Sequence, residues 1–226
     1  MSVIRFEDVR HSYGERAVLE HVDLELSEHR IGVIGANGSG KSTLARMING
    51  LVVPTAGRIT VDGLDTRKKG RDVRKKVGFV FTDPNHQIIM PTVGEDIEFS
   101  LRRSSSSKEE RTQRVDEVLE QFDLSGHRDH PTHLLSGGQK QLLALAAIMV
   151  TDPDVLVADE PTTLLDLRNT KIIAETFAAL PQQLVVVTHQ LDLLDGFDRV
   201  LVVDEGRVVA DSEPATAIDH YRSLVG

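Results

Sequence analysis

Apolar residues recur along the chain with two periods, one typical of strands and one typical of helices. Strand-like runs, either alternating or continuously apolar, occupy residues 3–9, 22–26, 31–34, 58–61, 77–81, 155–158 and 184–187. The last two are apolar without interruption, as expected for parallel strands that are covered on both faces. Residues 199–203 and 207–209 flank Asp204-Glu205-Gly206, a turn signal, and predict an antiparallel hairpin.

Helical periodicity dominates the middle of the chain. Val115, Val118, Leu119 and Phe122 fall at i, i+3, i+4 and i+7, which places them on one face of an amphipathic helix. Residues 142–150 are apolar at every position and predict a helix that is buried on all sides.

The alternation of these segments predicts a fold of the α/β class with a mainly helical insert at roughly residues 80–133. Within the insert, the serines at 104–107 predict a flexible linker ahead of the amphipathic helix. A further helical pattern through Ile172 and Phe177 ends before Pro181 and separates the two continuously apolar strands.

Composition removes several classes of protein from consideration. Cysteine is absent, which excludes a disulfide scaffold, thiolate zinc sites, iron–sulfur clusters and cysteine nucleophiles. The 26 basic and 35 acidic residues give a net charge of −9, so we expect no nucleic-acid partner. The longest apolar run, residues 142–150, is far shorter than the roughly 20 residues of a membrane span, and no secretory core opens the chain. We therefore expect a soluble chain, and any membrane role would have to come through a partner.

The stretch 67–76 differs from this acidic average because it holds seven basic residues. A solvated loop or helix face is the predicted role, since blocks of like charge are usually solvated. Contact with anionic lipid headgroups is the alternative.

Residues 35–42, GANGSGKS, fit the pattern G-x-x-x-x-G-K-[ST] between an apolar strand and a helical pattern. Glycines allow backbone N–H groups to turn inward around phosphate oxygens, and the helix N-terminus adds its dipole. Lys41 brings a compact positive charge to the β and γ phosphates, and the Ser42 hydroxyl is a hard oxygen ligand for Mg²⁺. The alternative is a glycine-rich turn with an exposed lysine.

Two acidic residues follow the apolar strand at 155–158. Asp159 emerges at the carboxyl end of this strand, where ligands gather in parallel sheets, and is predicted to hold Mg²⁺ through water. Glu160, the next residue, is free to polarise an attacking water. The alternative is that the two acids cap the next helix.

Residues 135–139, LSGGQ, form a helix start in which Ser136 can cap and Gln139 completes a capping box. Capping alone does not explain Gly137 and Gly138. A helix N-terminus stripped of side chains can approach a phosphate closely, which is the functional interpretation of the two glycines.

These motifs together resemble those of the ATP-binding cassette (ABC) ATPases, over essentially the whole chain. The resemblance implies ATP and Mg²⁺, with Walker A at 35–43, the signature at 135–139 and Walker B at 155–160. It implies catalytic roles for Glu160 as the base, for His189 as the switch histidine and for Lys41. The residues that it implies to contact ATP are Tyr13, stacking on adenine, then Gly35, Asn37, Gly38, Ser39, Gly40, Lys41, Ser42, Thr43, Ser136, Gly137, Gly138, Gln139, and Asp166 of the D-loop.

The resemblance also implies a fold and an assembly. The fold is a P-loop NTPase core with a mainly parallel sheet, an N-terminal antiparallel β subdomain and a helical insert. A single domain, 1–226, is then composed of the core and β subdomain at 1–79 and 134–226, and of a variable loop and helical subdomain at 80–133. Two such domains pack head to tail, with ATP between Walker A of one and the signature of the other. The partner is either a second copy or a paralogue.

One position departs from the family pattern. After the strand at 77–81, where the family usually has a glutamine, this chain has Thr82, and Gln87 follows five residues later. A threonine hydroxyl can face the metal or the attacking water, but it reaches less far. The sequence leaves open whether Thr82 substitutes or Gln87 moves in, so both join Ser42 and Asp159 as candidates for the metal site.

The segment 82–100, TDPNHQIIMPTVGEDIEFS, resembles the ATPase subunits of energy-coupling factor (ECF) importers, which take up vitamins and transition-metal ions. This resemblance implies a transmembrane coupling subunit and a small membrane substrate-binding subunit as partners, and a location on the cytoplasmic face of the membrane. The end of the chain at residue 226 favours a dedicated importer, with biotin as the first substrate expected and cobalt or nickel next.

Residues 92–101 predict a short helix beside a groove, in which Glu95, Asp96 and Glu98 receive arginines of the coupling subunit. Alternatively, acids near a helix start simply favour its dipole. Two other functions compete with transport. One is a soluble ABC ATPase without a transporter, such as a cluster-assembly ATPase, and the other is a non-hydrolysing regulatory module, for which Thr82 is the only argument.

Overall fold

The computed structural model describes residues 1–102, 104 and 106–226, which divide into two units by their contacts. The first unit comprises Met1–Phe79, Asp154–Glu160 and Pro181–Gly226, and the second comprises Val80–Pro153 and Pro161–Leu180. The predicted insert at 80–133 lies within the second unit, which also includes two segments that follow it. The predicted subdomain boundaries stay a prediction.

An antiparallel sheet of four strands begins the first unit. Its strands are β1 (Ile4–Tyr13), β2 (Arg16–Leu26), β4 (Ala56–Val61) and β5 (Leu64–Asp65), in the order β2-β1-β4-β5. Ile4, Phe6 and Val9 of β1 are buried, whereas most residues between them are exposed, so one face of the sheet meets the core. The tight turn between β1 and β2 places Tyr13 opposite Arg16.

The second sheet of this unit confirms the predicted α/β fold. Its strands are β3 (Arg30–Ile34), β6 (Val77–Val80), β7 (Val155–Asp159), β8 (Gln183–Val187), β9 (Arg199–Asp204) and β10 (Arg207–Ser212), in the order β10-β9-β3-β8-β7-β6. The strands from β9 to β7 are parallel neighbours, and β9 and β10 form the predicted hairpin. Every residue of β3, β7 and β8 is buried, which explains the apolar runs at 31–34, 155–158 and 184–187 within these strands.

Three helices belong to the first unit: α1 (Lys41–Ile48), α2 (Gly70–Lys76) and α7 (Pro214–Val225). Helix α2 lies entirely within the basic stretch 67–76. Its Val73 is buried while most of its basic residues are exposed, in agreement with a solvated helix face. Helix α7 was not predicted. Its Ala217 joins a buried cluster that includes Ile34, Val200 and Val202.

Helices form most of the second unit: α3 (Val93–Ser100), α4 (Lys108–Gln121), α5 (Gly137–Met149) and α6 (Leu167–Ala179). Helix α4 carries the predicted apolar stripe, and Ser107 and Glu110 form a capping box at its start. Most of α5 is buried, as its apolar sequence predicts. The predicted linker at 104–107 lies partly outside the described residues. In the described part of the chain, each helix is too short or too polar to cross a membrane.

Candidate nucleotide-binding site

The loop after β3 has a backbone that requires glycine. Gly35, Gly38 and Gly40 have φ angles of 148°, 80° and 107°, which side chains other than glycine rarely adopt. A Cβ on Gly35 would lie 2.0 Å from the backbone oxygen of Val203, so the close approach of two chains also excludes a side chain there. A glycine loop of this kind at the N-terminus of α1 is suited to bind an anion through backbone N–H groups.

Lys41, the first residue of α1, lies over this loop. Its side chain is buried, and its Nζ donates hydrogen bonds to the backbone oxygens of Gly35 (2.8 Å) and Ala36 (2.7 Å). Burial lowers the pKa of Lys41, while the carboxylates of Glu160 and Asp159 act in the opposite direction. A largely desolvated ammonium is thus held at the loop, where an anionic group would be attracted strongly.

Asp159 ends β7 and connects two residues of α1. The Ser42 hydroxyl donates to Asp159 Oδ1 at 2.7 Å, and Arg46 Nη2 donates to Asp159 Oδ2 at 3.0 Å. Asp159 is only 1% exposed, so these bonds to a buried carboxylate are sheltered from water. The interaction with Arg46 was not predicted. Arg46 lies one helical turn after Ser42, and no motif marks it.

The donor set suits a hard divalent cation. Ser42 and Asp159 supply oxygen ligands of the kind that Mg²⁺ prefers. No cluster of three or more metal-binding acids or histidines occurs among the described residues, so protein side chains alone would not complete the coordination. This combination fits a Mg²⁺ ion that shares its coordination with phosphate oxygens and water.

Glu160 and His189 meet because β7 and β8 are adjacent parallel strands. Their carboxyl ends lie side by side, and Glu160 N donates to Val187 O at 2.9 Å. His189 Nδ1 lies 3.0 Å from Glu160 Oε2, and since a carboxylate only accepts, the histidine carries the proton of this bond. Glu160 has a φ of 51°, an unusual angle for a side-chain-bearing residue.

A cavity of about 310 Å³ opens between the loop and the β1–β2 hairpin, within the size range of small-ligand sites. Tyr13 lies at the cavity with 54% of its surface exposed, and the centre of its ring is 4.6 Å from that of the His11 ring in an edge-to-face arrangement. Arg16, on the opposite strand, was not predicted. The residues lining the cavity are Tyr13, Arg16, Val18, Asn37, Gly38, Gly40, Lys41, Ser42, Thr43 and Glu160.

The signature residues lie in the second unit, at the start of α5. Ser136 and Gln139 form the predicted capping box, and Gln139 Nε2 also lies 3.0 Å from His127 Nε2. A Cβ on Gly138 would lie 2.1 Å from Asn169 Oδ1, so packing against α6 is one reason for this glycine. Gly137 lacks such a restriction, because the nearest atom to its Cβ position is 4.0 Å away. The contact of these residues with ATP stays a prediction.

Three further predicted residues are also in the second unit. Asp166 caps α6 by accepting a hydrogen bond from Asn169 N at 2.8 Å. Gln87 Oε1 accepts from Phe81 N at 3.3 Å, and its Nε2 donates to Ala144 O at 2.9 Å. Both polar ends of Gln87 are thus bound within its own unit. The metal roles of Thr82 and Gln87 stay predictions.

Asp96 does not have the role predicted from its position. It is 4% exposed, and its Oδ1 accepts hydrogen bonds from Ile89 N (2.7 Å) and Met90 N (2.8 Å). The expectation that Asp96 receives an arginine from a partner is therefore wrong. Its carboxylate instead fixes the segment before α3, and of the three acids only Glu95 and Glu98 face outward.

Replacement of Asp96 should reveal this internal role through stability. Asp96→Ala leaves two backbone N–H groups without their acceptor, and we expect a loss of about 1–2 kcal/mol in the free energy of unfolding. Asp96→Asn keeps an acceptor oxygen and should lose less. Chemical denaturation of the parent and the two variants at neutral pH measures both differences. An Asp96→Ala variant as stable as the parent would contradict the proposal that Asp96 fixes the segment before α3.

The pH dependence of stability gives a second readout for Asp96. Burial raises the pKa of this carboxyl, although the two backbone bonds act in the opposite direction. Its contribution to the free energy of unfolding is therefore greatest at acid pH and falls as pH rises through the ordinary pKa towards the raised one. We expect Asp96→Asn to lack this decline.

Comparison with known proteins agrees with the geometry of the site. The sequence profile of the ABC transporter family matches residues 19–163, which is more than half of the chain. The biotin transport ATP-binding protein BioM of Rhizobium etli is 47% identical over 221 residues, covering 98% of both chains. The energy-coupling factor transporter ATP-binding protein EcfA1 of Halalkalibacterium halodurans is 38% identical, covering 96% of this chain and 81% of the relative.

A solved structure extends the similarity to the whole fold. The cbiO1 protein of Clostridium perfringens, described as part of the ABC transporter complex cbiONQ, superposes with a TM-score of 0.85. Sequence identity is 31%, and the alignment covers 98% of this chain and 92% of that one.

Proposed function

Because the chain belongs to the ABC transporter family, we propose that it is the ATP-hydrolysing subunit of an ECF-type importer. The observation that carries the proposal is the arrangement of Lys41, Ser42, Asp159 and Glu160 at the end of one parallel sheet. The ends of β3 and β7 supply a phosphate loop, a metal carboxylate and a base, and β8, which lies between these two strands, leads to His189.

Each side chain has a role that follows from its contacts. Lys41 and the glycine loop bind the phosphates, and Tyr13 at the cavity mouth stacks on the adenine. Glu160 faces the cavity and takes the proton of the attacking water, while His189 holds the Glu160 carboxylate in place. Ser42, and Asp159 through water, would hold Mg²⁺, which would neutralise charge at the phosphates.

Two copies of the chain, or one copy and a paralogue, would act together. The chain carries both the phosphate loop and the signature, so a head-to-tail homodimer would have two complete sites. Leu164 and Leu167, which flank Asp166, are 62% and 91% exposed, and large exposed leucines next to a functional loop support an interface there. ATP bound between the copies would close the dimer, and hydrolysis would reopen it.

A transmembrane coupling subunit is the partner proposed for the groove between α3 and α4. The groove, about 330 Å³, is lined by Met90, Glu95, Glu98, Phe99, Arg102 and Arg111. Glu98 and Glu95 are exposed or half-exposed there, and they can receive basic side chains. A small membrane protein would bind the substrate. Biotin is the first substrate proposed, because a BioM protein is among the relatives, and cobalt or nickel follows.

Glu98→Lys should separate the chain from its membrane partner. Glu98 lies 3.9 Å from Arg111, and a lysine there would turn the groove repulsive towards basic side chains. We expect loss of co-purification with the membrane subunit and unchanged ATP binding. Glu120→Lys, an equal charge change at an exposed residue of α4, serves as the control. Equal recovery of the membrane partner with both variants would contradict the proposal that the coupling subunit binds in this groove.

The whole proposal is tested by what the chain binds in its own cells. The tagged protein is purified from gently solubilised membranes, and its partners are identified by mass spectrometry. A multi-span coupling protein together with a small membrane protein is the expected result, and uptake assays on the small partner would identify the substrate. A purely soluble complex would overturn the transport function and leave the ATPase chemistry in place.

A further inference from the structure

Arg46 contacts the metal carboxylate through the oxygen that Ser42 does not use. Its Nη2 donates to Asp159 Oδ2, while the other oxygen, Oδ1, accepts from the Ser42 hydroxyl. The carboxylate is 1% exposed, whereas the Arg46 side chain is 41% exposed and extends from the core towards solvent. One arginine thus reaches an almost fully buried carboxylate.

The direction of the Ser42 hydrogen bond determines what the hydroxyl can offer a metal. A serine hydroxyl has one proton and two lone pairs. Because the proton is donated to Asp159 at 2.7 Å, both lone pairs of Ser42 are turned away from the carboxylate and are free for a cation. This geometry requires Asp159 Oδ1 to stay in place as an acceptor.

Arg46 holds the Asp159 carboxylate, and with it Oδ1, in this position. A buried carboxylate is costly unless its charge is balanced and its oxygens are hydrogen-bonded, and Arg46 does both through Oδ2. Ser42 and Arg46 are four residues apart on α1, so the same face of one helix carries the metal ligand and the group that orients its acceptor. Arg46 lies about one helical turn after Ser42 and is not among the residues that line the cavity.

We infer that Arg46 is a positioning residue for the metal site of the ATPase. By fixing Asp159, it keeps the lone pairs of Ser42 directed at Mg²⁺, and it therefore strengthens metal binding without touching the nucleotide. This inference rests on the proposed ATP site and adds a residue to it. Partners that orient metal ligands typically change metal affinity by about 10- to 100-fold when they are removed.

The test separates binding of the nucleotide from binding of the metal. The affinity of the purified protein for a fluorescent ATP analogue is measured once with EDTA and once with excess Mg²⁺. The affinity with Mg²⁺ divided by the affinity with EDTA gives the contribution of the metal to binding. We expect Arg46→Met to reduce this ratio by about tenfold or more while the affinity in EDTA stays the same. Arg46→Lys retains a charged donor and should recover part of the ratio.

Controls make each outcome decisive. Arg222→Met, at an exposed position of α7, removes the same group elsewhere and should leave the ratio unchanged. A ratio in Arg46→Met equal to the parent's would overturn the inference, and an increased ratio would show instead that Arg46 competes with the metal. An Arg46→Lys value no better than that of Arg46→Met would also overturn it. A parent protein that binds no ATP in either condition would refute the proposed function itself.

Discussion

Glu160→Gln is expected to reduce ATP hydrolysis by 10² or more while ATP binding is retained. Glutamine has nearly the shape of glutamate, and its amide oxygen can still accept the hydrogen bond from His189. It cannot take a proton from water, so the loss measures general-base catalysis alone. The phosphate loop and the Ser42–Asp159 pair are unchanged in this variant.

Three measurements on the purified variant check this expectation. Steady-state turnover gives the loss of hydrolysis, titration with a fluorescent ATP analogue gives the affinity, and size-exclusion chromatography with ATP gives the oligomeric state. Because binding continues without hydrolysis, we expect an ATP-dependent dimer to accumulate. Glu15→Gln, an exposed acid in the β1–β2 turn near the cavity, is the matched control. Turnover near that of the parent would remove Glu160 from the role of base.

The phosphate site could be predicted from sequence because its motifs tie residue type to backbone geometry. The pattern of 35–42 demands left-handed glycines, and Gly35, Gly38 and Gly40 have them. The placement of Asp159 and His189 followed from their positions after buried strands. Strand order then brings the ends of β3, β8 and β7 together, as the parallel-sheet interpretation requires.

The residues that sequence reasoning missed act across distances that no local pattern encodes. Arg46 meets Asp159 only because α1 packs beside β7, and Arg16 reaches the cavity only through its pairing with Tyr13. Asp96 was assigned to the surface because consecutive acids at a helix start carry no sign of which one turns inward. Asp96 turns inward because its carboxylate accepts hydrogen bonds from two backbone N–H groups of the preceding segment.

Helix α7 shows a second limit, which concerns periodicity. Only Ala217 is fully buried in this helix, and the adjoining Ile218 and Tyr221 are partly buried against the same cluster. Three apolar contacts in twelve residues give a weak stripe, so the sequence pattern did not distinguish this helix from a polar tail. Packing against β9 stabilises this helix, and the local sequence pattern does not reveal that contact.

Lys41→Met should abolish most of the affinity for ATP. The Lys41 side chain is buried, and its ammonium donates hydrogen bonds to two carbonyl oxygens of the loop. When nucleotide binds, these hydrogen bonds would be replaced by hydrogen bonds to the phosphates. Hydrogen bonds to charged groups contribute about 1.5–3 kcal/mol each, so two such bonds correspond to a loss of roughly 100-fold or more in affinity. Methionine fills a similar volume without charge, and the fold should tolerate it because a desolvated ammonium is removed.

Equilibrium binding of ATP to the variant, with its unfolding transition measured alongside, distinguishes a lost ligand from a lost fold. The parent protein offers a further signature, because burial lowers the pKa of Lys41. The charge of Lys41, and with it the affinity that this charge provides, should disappear at a lower pH than for an exposed lysine. Lys171→Met, at an exposed position of α6, should leave both affinity and pH profile unchanged. A Lys41→Met protein that binds ATP as tightly as the parent would show that the loop does not hold phosphate through this lysine, and the assignment of the site would fail at its most specific residue.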